Sequence, residues 1–173
     1  MNNLSYKKSV ESLQTMNEKY GDVWVLPEFK DCLLFAITEG AEAIDAKLRQ
    51  NPKYFRNRDL NNNFEEEYYK EVCDLIMMII KSLMSVDHEF TYDMPSDGYK
   101  DTLFEEVIDV IEFLAFLHNQ STGDINLQSL ESCIVDLMAH LEAETHIGFV
   151  GETISAKMDA TEKKIKERKN ANQ

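Results

Sequence analysis

The segment from about Phe64 to Val86 places the strongest constraint on the fold, because its helical pattern is apolar on more than one side. One face carries apolar side chains at helical spacing: Val72, Leu75, Ile76, Ile79 and Leu83. Met77 and Met78 cover the other face. A helix that is apolar all round is buried on both sides. Other helices are therefore expected to surround this one.

Helical periodicity also dominates the rest of the chain, which has only six glycines and three prolines in 173 residues and shows no clear strand alternation. Helices are predicted at about 5–20, 28–50, 64–86, 101–119 and 127–146, and from about 152 into a charged tail. This pattern predicts an all-α helical bundle of about five to six helices, in one domain over 1–173, with about 167–173 as a frayed tail. The predicted core stripe of the second helix is Leu34, Ile37, Ala41, Ile44 and Leu48.

The charge and the apolar runs exclude several classes of partner. A net charge of −14 argues against nucleic acid and against an anionic membrane surface. The longest apolar run, Leu75–Ile80, is far too short to span a bilayer. Three cysteines without a CxxC motif indicate free thiols in a reducing compartment. We therefore expect a cytoplasmic protein.

Two pairs of acidic residues with i,i+3 spacing lie in consecutive apolar helices, Glu39/Glu42 in the second and Glu71/Asp74 in the third. Residues three apart project from the same side of a helix. Four carboxylates on facing helices repel one another, and hard divalent cations such as Mg²⁺ prefer oxygen ligands of this kind. The pattern predicts a metal site, and a metal held by carboxylates alone suggests phosphate chemistry. Solvent-exposed acids are the alternative interpretation.

Basic residues form two groups that suit an anionic ligand. In the stretch 47–58, which contains no acid, we select Lys53, Arg56 and Arg58 as phosphate contacts, and near the C-terminus Lys157 and Lys164. A solvated loop and a solvated tail are the alternatives. Trp24, the only tryptophan, is a candidate for stacking a nucleobase or for covering the core.

The acidic pairs and their surroundings resemble the MazG-like all-α nucleoside triphosphate pyrophosphohydrolases. The shared features are the order ExxE, a gap of 28 residues and then ExxD, with Glu39-Gly-Ala-Glu-Ala-Ile-Asp-Ala-Lys-Leu-Arg, Pro52-Lys-Tyr-Phe-Arg-Asn and Glu71-Val-Cys-Asp-Leu-Ile-Met. The match covers residues 33–84. A weaker similarity links Lys157-Met-Asp-Ala-Thr-Glu-Lys-Lys164 to the family's closing basic helix.

The resemblance implies that Glu39, Glu42, Glu71 and Asp74 ligate Mg²⁺, with Mn²⁺ as a substitute, and that a nucleoside triphosphate is hydrolysed to the monophosphate and pyrophosphate. It also implies a homodimer or homotetramer. The chain departs from the family pattern at two places. Thr38 stands where a glutamate often precedes the first pair, and Thr161 stands where the closing helix commonly has an asparagine.

Three alternatives stay open at this point. A second ExxD, Glu106/Asp109, is a rival for the second acidic pair, although its gap from Glu42 would be 63 residues. A strict dUTPase-like or dCTPase-like enzyme is a narrower version of the same function. Thr38 keeps open a non-catalytic helical binding or assembly protein on the same scaffold.

Overall fold

The computed structural model describes residues 4–54, 63–92 and 102–171, and within these ranges the chain is an all-α bundle without strands. The predicted all-α fold is confirmed. The helices are α1 (Leu4–Tyr20), α2 (Phe29–Arg49), α3 (Phe64–Met84), α4 (Leu103–His118), α5 (Leu127–Glu144) and α6 (Phe149–Ala171). Two short 3-10 turns, Pro52–Tyr54 and Thr122–Asp124, lie in connections.

α3 is the central helix of the bundle and packs against α2, α5, α6 and α1. Its residues 75–80 are all buried, as the sequence predicted from their apolar character on both sides. Burying a leucine or isoleucine side chain contributes about 1.5–3 kcal/mol each. The Asn63 side chain accepts a hydrogen bond from the Glu66 amide and caps the start of this helix.

The buried face of α2 overlaps the predicted one only in part. The helix turns small residues to the core, together with Cys32 and Leu33 near its start: Ala36, Gly40, Ala43 and Ala46. Leu34 and Leu48 of the predicted stripe are 52% and 44% exposed. Small side chains let neighbouring helices approach closely, and a Cβ added at Gly40 would lie 2.6 Å from Ile111 Cγ1 of α4. The predicted core stripe of α2 is therefore wrong at Leu34, Ala41 and Leu48, whereas Ile37 and Ile44 pack against the core.

α6 packs along α1 and carries the predicted C-terminal basic residues back to the bundle. A Cβ at Gly151 would lie 3.1 Å from Ser5 Cα, so the two backbones are in close contact. The helix continues through 167–171, which the sequence assigned to a frayed tail. There Lys169 pairs with Asp22, and one turn earlier Lys166 pairs with Glu162.

A buried carboxylate fastens the segment after α3 to the bundle. Glu131 of α5 is fully buried and accepts hydrogen bonds from the Tyr6 hydroxyl and the Thr91 amide, both at 2.6 Å. Its other oxygen lies 2.8 Å from His88 Nε2. These contacts supply the partners that a buried acid requires.

No helix in the described part of the chain combines the length and the apolar character required to cross a membrane.

Candidate metal centre

α2 and α3 run antiparallel, and this register places the two acidic pairs side by side. At one end, Gln50 Nε2 donates a hydrogen bond to the Phe64 carbonyl. Further along, a Cβ at Gly40 would lie 3.7 Å from Leu75 Cδ2. From the pair Gln50/Phe64 to the pair Gly40/Leu75, the chain runs back ten residues along α2 and forward eleven along α3, as expected for antiparallel helices. Glu39 and Glu42 therefore lie at the height of Glu71 and Asp74.

Carboxylate oxygens of Glu39, Glu42 and Glu71 all lie within 4.8 Å of one another. Glu39 and Glu71 are half-buried and Glu42 is exposed. Asp74 lies next to this group, and its carboxylate forms an ion pair with Lys157 of α6. We refer to Glu39, Glu42, Glu71 and Asp74 as the acidic cluster. Its oxygen atoms form a ligand set of the kind that hard divalent cations take.

Charge repulsion within the acidic cluster is only partly relieved by the protein itself. Burial, followed by the charges of Asp74, Glu42 and Glu39, raises the pKa of Glu71 to about 7. Burial and the charges of Asp74 and Glu42 also raise the pKa of Glu39. Lys157 opposes both shifts. The cluster therefore favours an additional positive charge, which a proton or a cation can supply.

The structure brings one of the predicted phosphate-binding cations to the cluster, namely Lys157. Lys164 is exposed and lies two turns further along α6. Lys53 is exposed in the 3-10 turn after α2, with its ammonium 5.6 Å from the centroid of the Tyr54 ring. Arg56 and Arg58 lie outside the described residues.

Trp24 is half-buried and packs against the core. Its ring contacts Lys81, a lysine that was not among the predicted site residues. The Lys81 ammonium lies over the Trp24 ring, 5.0 Å from its centroid. Lys81 belongs to α3, seven residues after Asp74, and is itself half-buried. Burial lowers the pKa of Lys81, and Cys32, Asp74 and Glu39 act in the opposite direction. The signal that could have identified it is a lone charge inside the apolar stretch 75–84.

The rival acidic pair on α4 does not join this group in the described residues. Glu106 is buried, whereas Asp109 is exposed. Burial, and then the charge of Glu106, raises the pKa of Cys133 on α5 to about 12. Glu106 thus lies where α4 packs against α5, away from the acidic cluster.

Comparison of the chain with protein-family models, curated proteins and solved structures gave no match. Function is therefore inferred from the chemistry of the site itself.

Proposed function

We propose that the protein hydrolyses nucleoside triphosphates, NTP or dNTP, to the monophosphate and pyrophosphate in a Mg²⁺-dependent reaction. The observation that carries the proposal is the acidic cluster, in which three carboxylates from adjacent helices meet within 4.8 Å. The sequence resemblance to MazG-like enzymes supports it, because the four residues that match the family's ExxE and ExxD pairs are those that α2 and α3 bring together.

The residues present fit a divalent cation. Every candidate ligand is a carboxylate, and oxygen is the ligand atom that Mg²⁺ prefers. The raised pKa of Glu71 indicates negative charge that Lys157 does not fully compensate. Glu39, Glu42, Glu71 and Asp74 would hold the ion, with Mn²⁺ as a substitute.

When bound, the ion would neutralise charge on the triphosphate and polarise its phosphorus and the attacking water. The chain's own part is positioning and charge. In the proposed reaction, water attacks the α-phosphorus and pyrophosphate leaves, and a carboxylate of the cluster orients the water. Phosphoryl transfer depends mainly on such positioning and on charge neutralisation.

Lys157 would then exchange its contact with Asp74 for a phosphate oxygen, because an ion bound to Asp74 competes with the ammonium for the same carboxylate. We retain as predicted substrate contacts the other basic residues, Lys53, Arg56, Arg58 and Lys164.

The proposal includes self-association and a cytoplasmic location. Leu34 and Phe35 are each about half exposed near the start of α2, and Leu48 near its end is also exposed. These exposed apolar residues support the expected homodimer or homotetramer, because a second copy of the chain would cover them. Within the described ranges all three cysteines are free, which supports a reducing compartment.

Titration with Mn²⁺ tests the metal centre without requiring turnover. We expect saturable binding by isothermal titration calorimetry at pH 8, and a rise in Tm that follows from stabilisation of about 2.7 kcal/mol at 100 times the Kd. Glu42→Gln should weaken binding strongly, because it removes an exposed ligand without disturbing the core.

Asp109→Asn is the matched control and should bind Mn²⁺ as the wild type does. A non-catalytic assembly protein on a similar scaffold would give neither saturable binding nor a change in Tm. That result would rule out the proposed metal centre.

A further inference from the structure

Lys81 lies between the aromatic side chain and the acidic cluster, on the same face of α3 as Asp74. Seven residues correspond to about two turns, or roughly 10.5 Å of helix. The Lys81 ammonium lies 5.0 Å from the centroid of the Trp24 ring. The charges of Asp74 and Glu39 also act on it, so it lies within electrostatic range of the acidic cluster. The order along this surface is thus Trp24, Lys81 and then the carboxylates.

The surroundings of Lys81 are unusual for a lysine. Within residues 4–54, 63–92 and 102–171, no carboxylate lies at ion-pair distance from its ammonium, which lies over the Trp24 ring. Burial lowers its pKa, which indicates that the ammonium has lost hydration. Four groups act on it electrostatically, namely Cys32, Lys157, Asp74 and Glu39. A partly desolvated ammonium without a paired anion is a suitable binding group for an anionic ligand.

A nucleotide presents its groups in the same order as this surface. The base comes first, then the sugar, the α-phosphate and the outer phosphates. With the phosphate chain at the acidic cluster and the base against Trp24, the α-phosphate is the phosphate nearest to Lys81.

We propose that Lys81 anchors the α-phosphate of the bound nucleotide by donating hydrogen bonds from its ammonium to a non-bridging oxygen. This inference rests on the proposed function and adds a residue that the family resemblance does not assign. Lys81 would hold the α-phosphorus in place for attack and would keep its contact in the monophosphate product.

Binding of nucleoside monophosphates tests the assignment without turnover. Trp24 is the only tryptophan, so its fluorescence reports on the site directly. We would titrate deoxynucleoside monophosphates and the corresponding deoxynucleosides in the presence of Mn²⁺. The wild type should bind the monophosphates more tightly than the nucleosides. Lys81→Met should weaken monophosphate binding about 10- to 100-fold and leave nucleoside binding unchanged.

Three variants separate this role from a structural one. Lys81→Arg keeps the charge and should retain most of the monophosphate affinity. Lys81→Gln keeps a polar end and serves if the methionine variant does not fold, as judged by circular dichroism. Lys169→Met is the matched control, since Lys169 also contacts an aromatic ring, Tyr20, and lies twelve residues beyond Lys157 on α6. It should bind monophosphates normally.

Equal monophosphate affinity in the wild type and in folded Lys81→Met or Lys81→Gln would overturn the role of Lys81 and leave the proposed hydrolysis untouched. If the wild type binds neither monophosphates nor triphosphates, the proposed function fails and the role of Lys81 fails with it.

Discussion

Glu71→Gln should lower nucleoside triphosphate hydrolysis by at least about 100-fold while the helical fold is kept. Glu71 lies at the centre of the acidic cluster, with Glu39 and Glu42 within 4.8 Å and Asp74 one turn along the same helix. The amide has the size of the carboxylate but carries no charge and is a poor metal ligand. Steady-state rates with Mg²⁺ and a mixed panel of NTPs and dNTPs measure the effect.

Stability separates a catalytic role of Glu71 from a structural one. Because burial and neighbouring acids raise its pKa to about 7, its charge opposes folding at neutral pH. The glutamine variant should therefore be at least as stable as the wild type when metal is absent. Asp109→Asn is the control and should keep its activity. Full activity in Glu71→Gln would refute the assignment, and loss only in Asp109→Asn would move it to the pair on α4.

In the presence of a chelator, the free energy of unfolding should fall as the pH rises from about 5 to 8. The sign follows from the pKa shift. The folded-state pKa of Glu71 is raised from 4.5 to about 7, so the folded state holds the proton more tightly than the unfolded state. Stability from this group is complete below about pH 4.5 and is lost as the pH rises through 7. Glu39 contributes in the same direction.

Urea unfolding followed by circular dichroism at several pH values measures this dependence. After allowance for solvent screening of a partly exposed carboxyl, Glu71 should account for about 1–2 kcal/mol of the decline. Glu71→Gln should remove this part. Glu112→Gln, on the exposed side of α4, should not change it. Mg²⁺ should restore more stability at pH 8 than at pH 5, because its ligands must be deprotonated. Identical pH profiles for the wild type and Glu71→Gln would contradict the electrostatic account.

The sequence predicted the helical elements well because their apolar periodicity is strong. The predicted and observed boundaries coincide or differ by up to three residues, apart from the end of α6. The central position of α3 could be predicted because no arrangement leaves an all-round apolar helix in water. The spacing of the acidic pairs predicted that Glu39, Glu42 and Glu71 lie together, since consecutive antiparallel helices that pack against each other bring residues at the same height into contact.

The core face of α2 could not be predicted from hydrophobicity alone. Leu34 and Leu48 are the larger apolar residues, but the helix buries small ones such as Gly40 and Ala43. The reason is geometric. Ile111 of α4 occupies the space that a side chain at residue 40 would fill, so the close approach of the helices, and not the residue's own hydrophobicity, decides which face is inside.

The long-range part of the site also required the structure. Lys157 reaches Asp74 only because α6 returns across the bundle, 83 residues along the chain. The contact of Lys81 with Trp24 depends on how the segment before α2 folds over the end of α3. Helical spacing within one element carries no information on either contact.

Hydrolysis of a panel of NTPs and dNTPs in ¹⁸O-labelled water, with Mg²⁺ and analysis of both products, tests the central claim most directly. We expect nucleoside monophosphate and pyrophosphate in equal amounts, with the label in the monophosphate, because in the proposed reaction water attacks the α-phosphorus. Label in the pyrophosphate would contradict the proposed site of attack. No turnover of any nucleotide with Mg²⁺ or Mn²⁺ would contradict the proposed function and favour a binding protein.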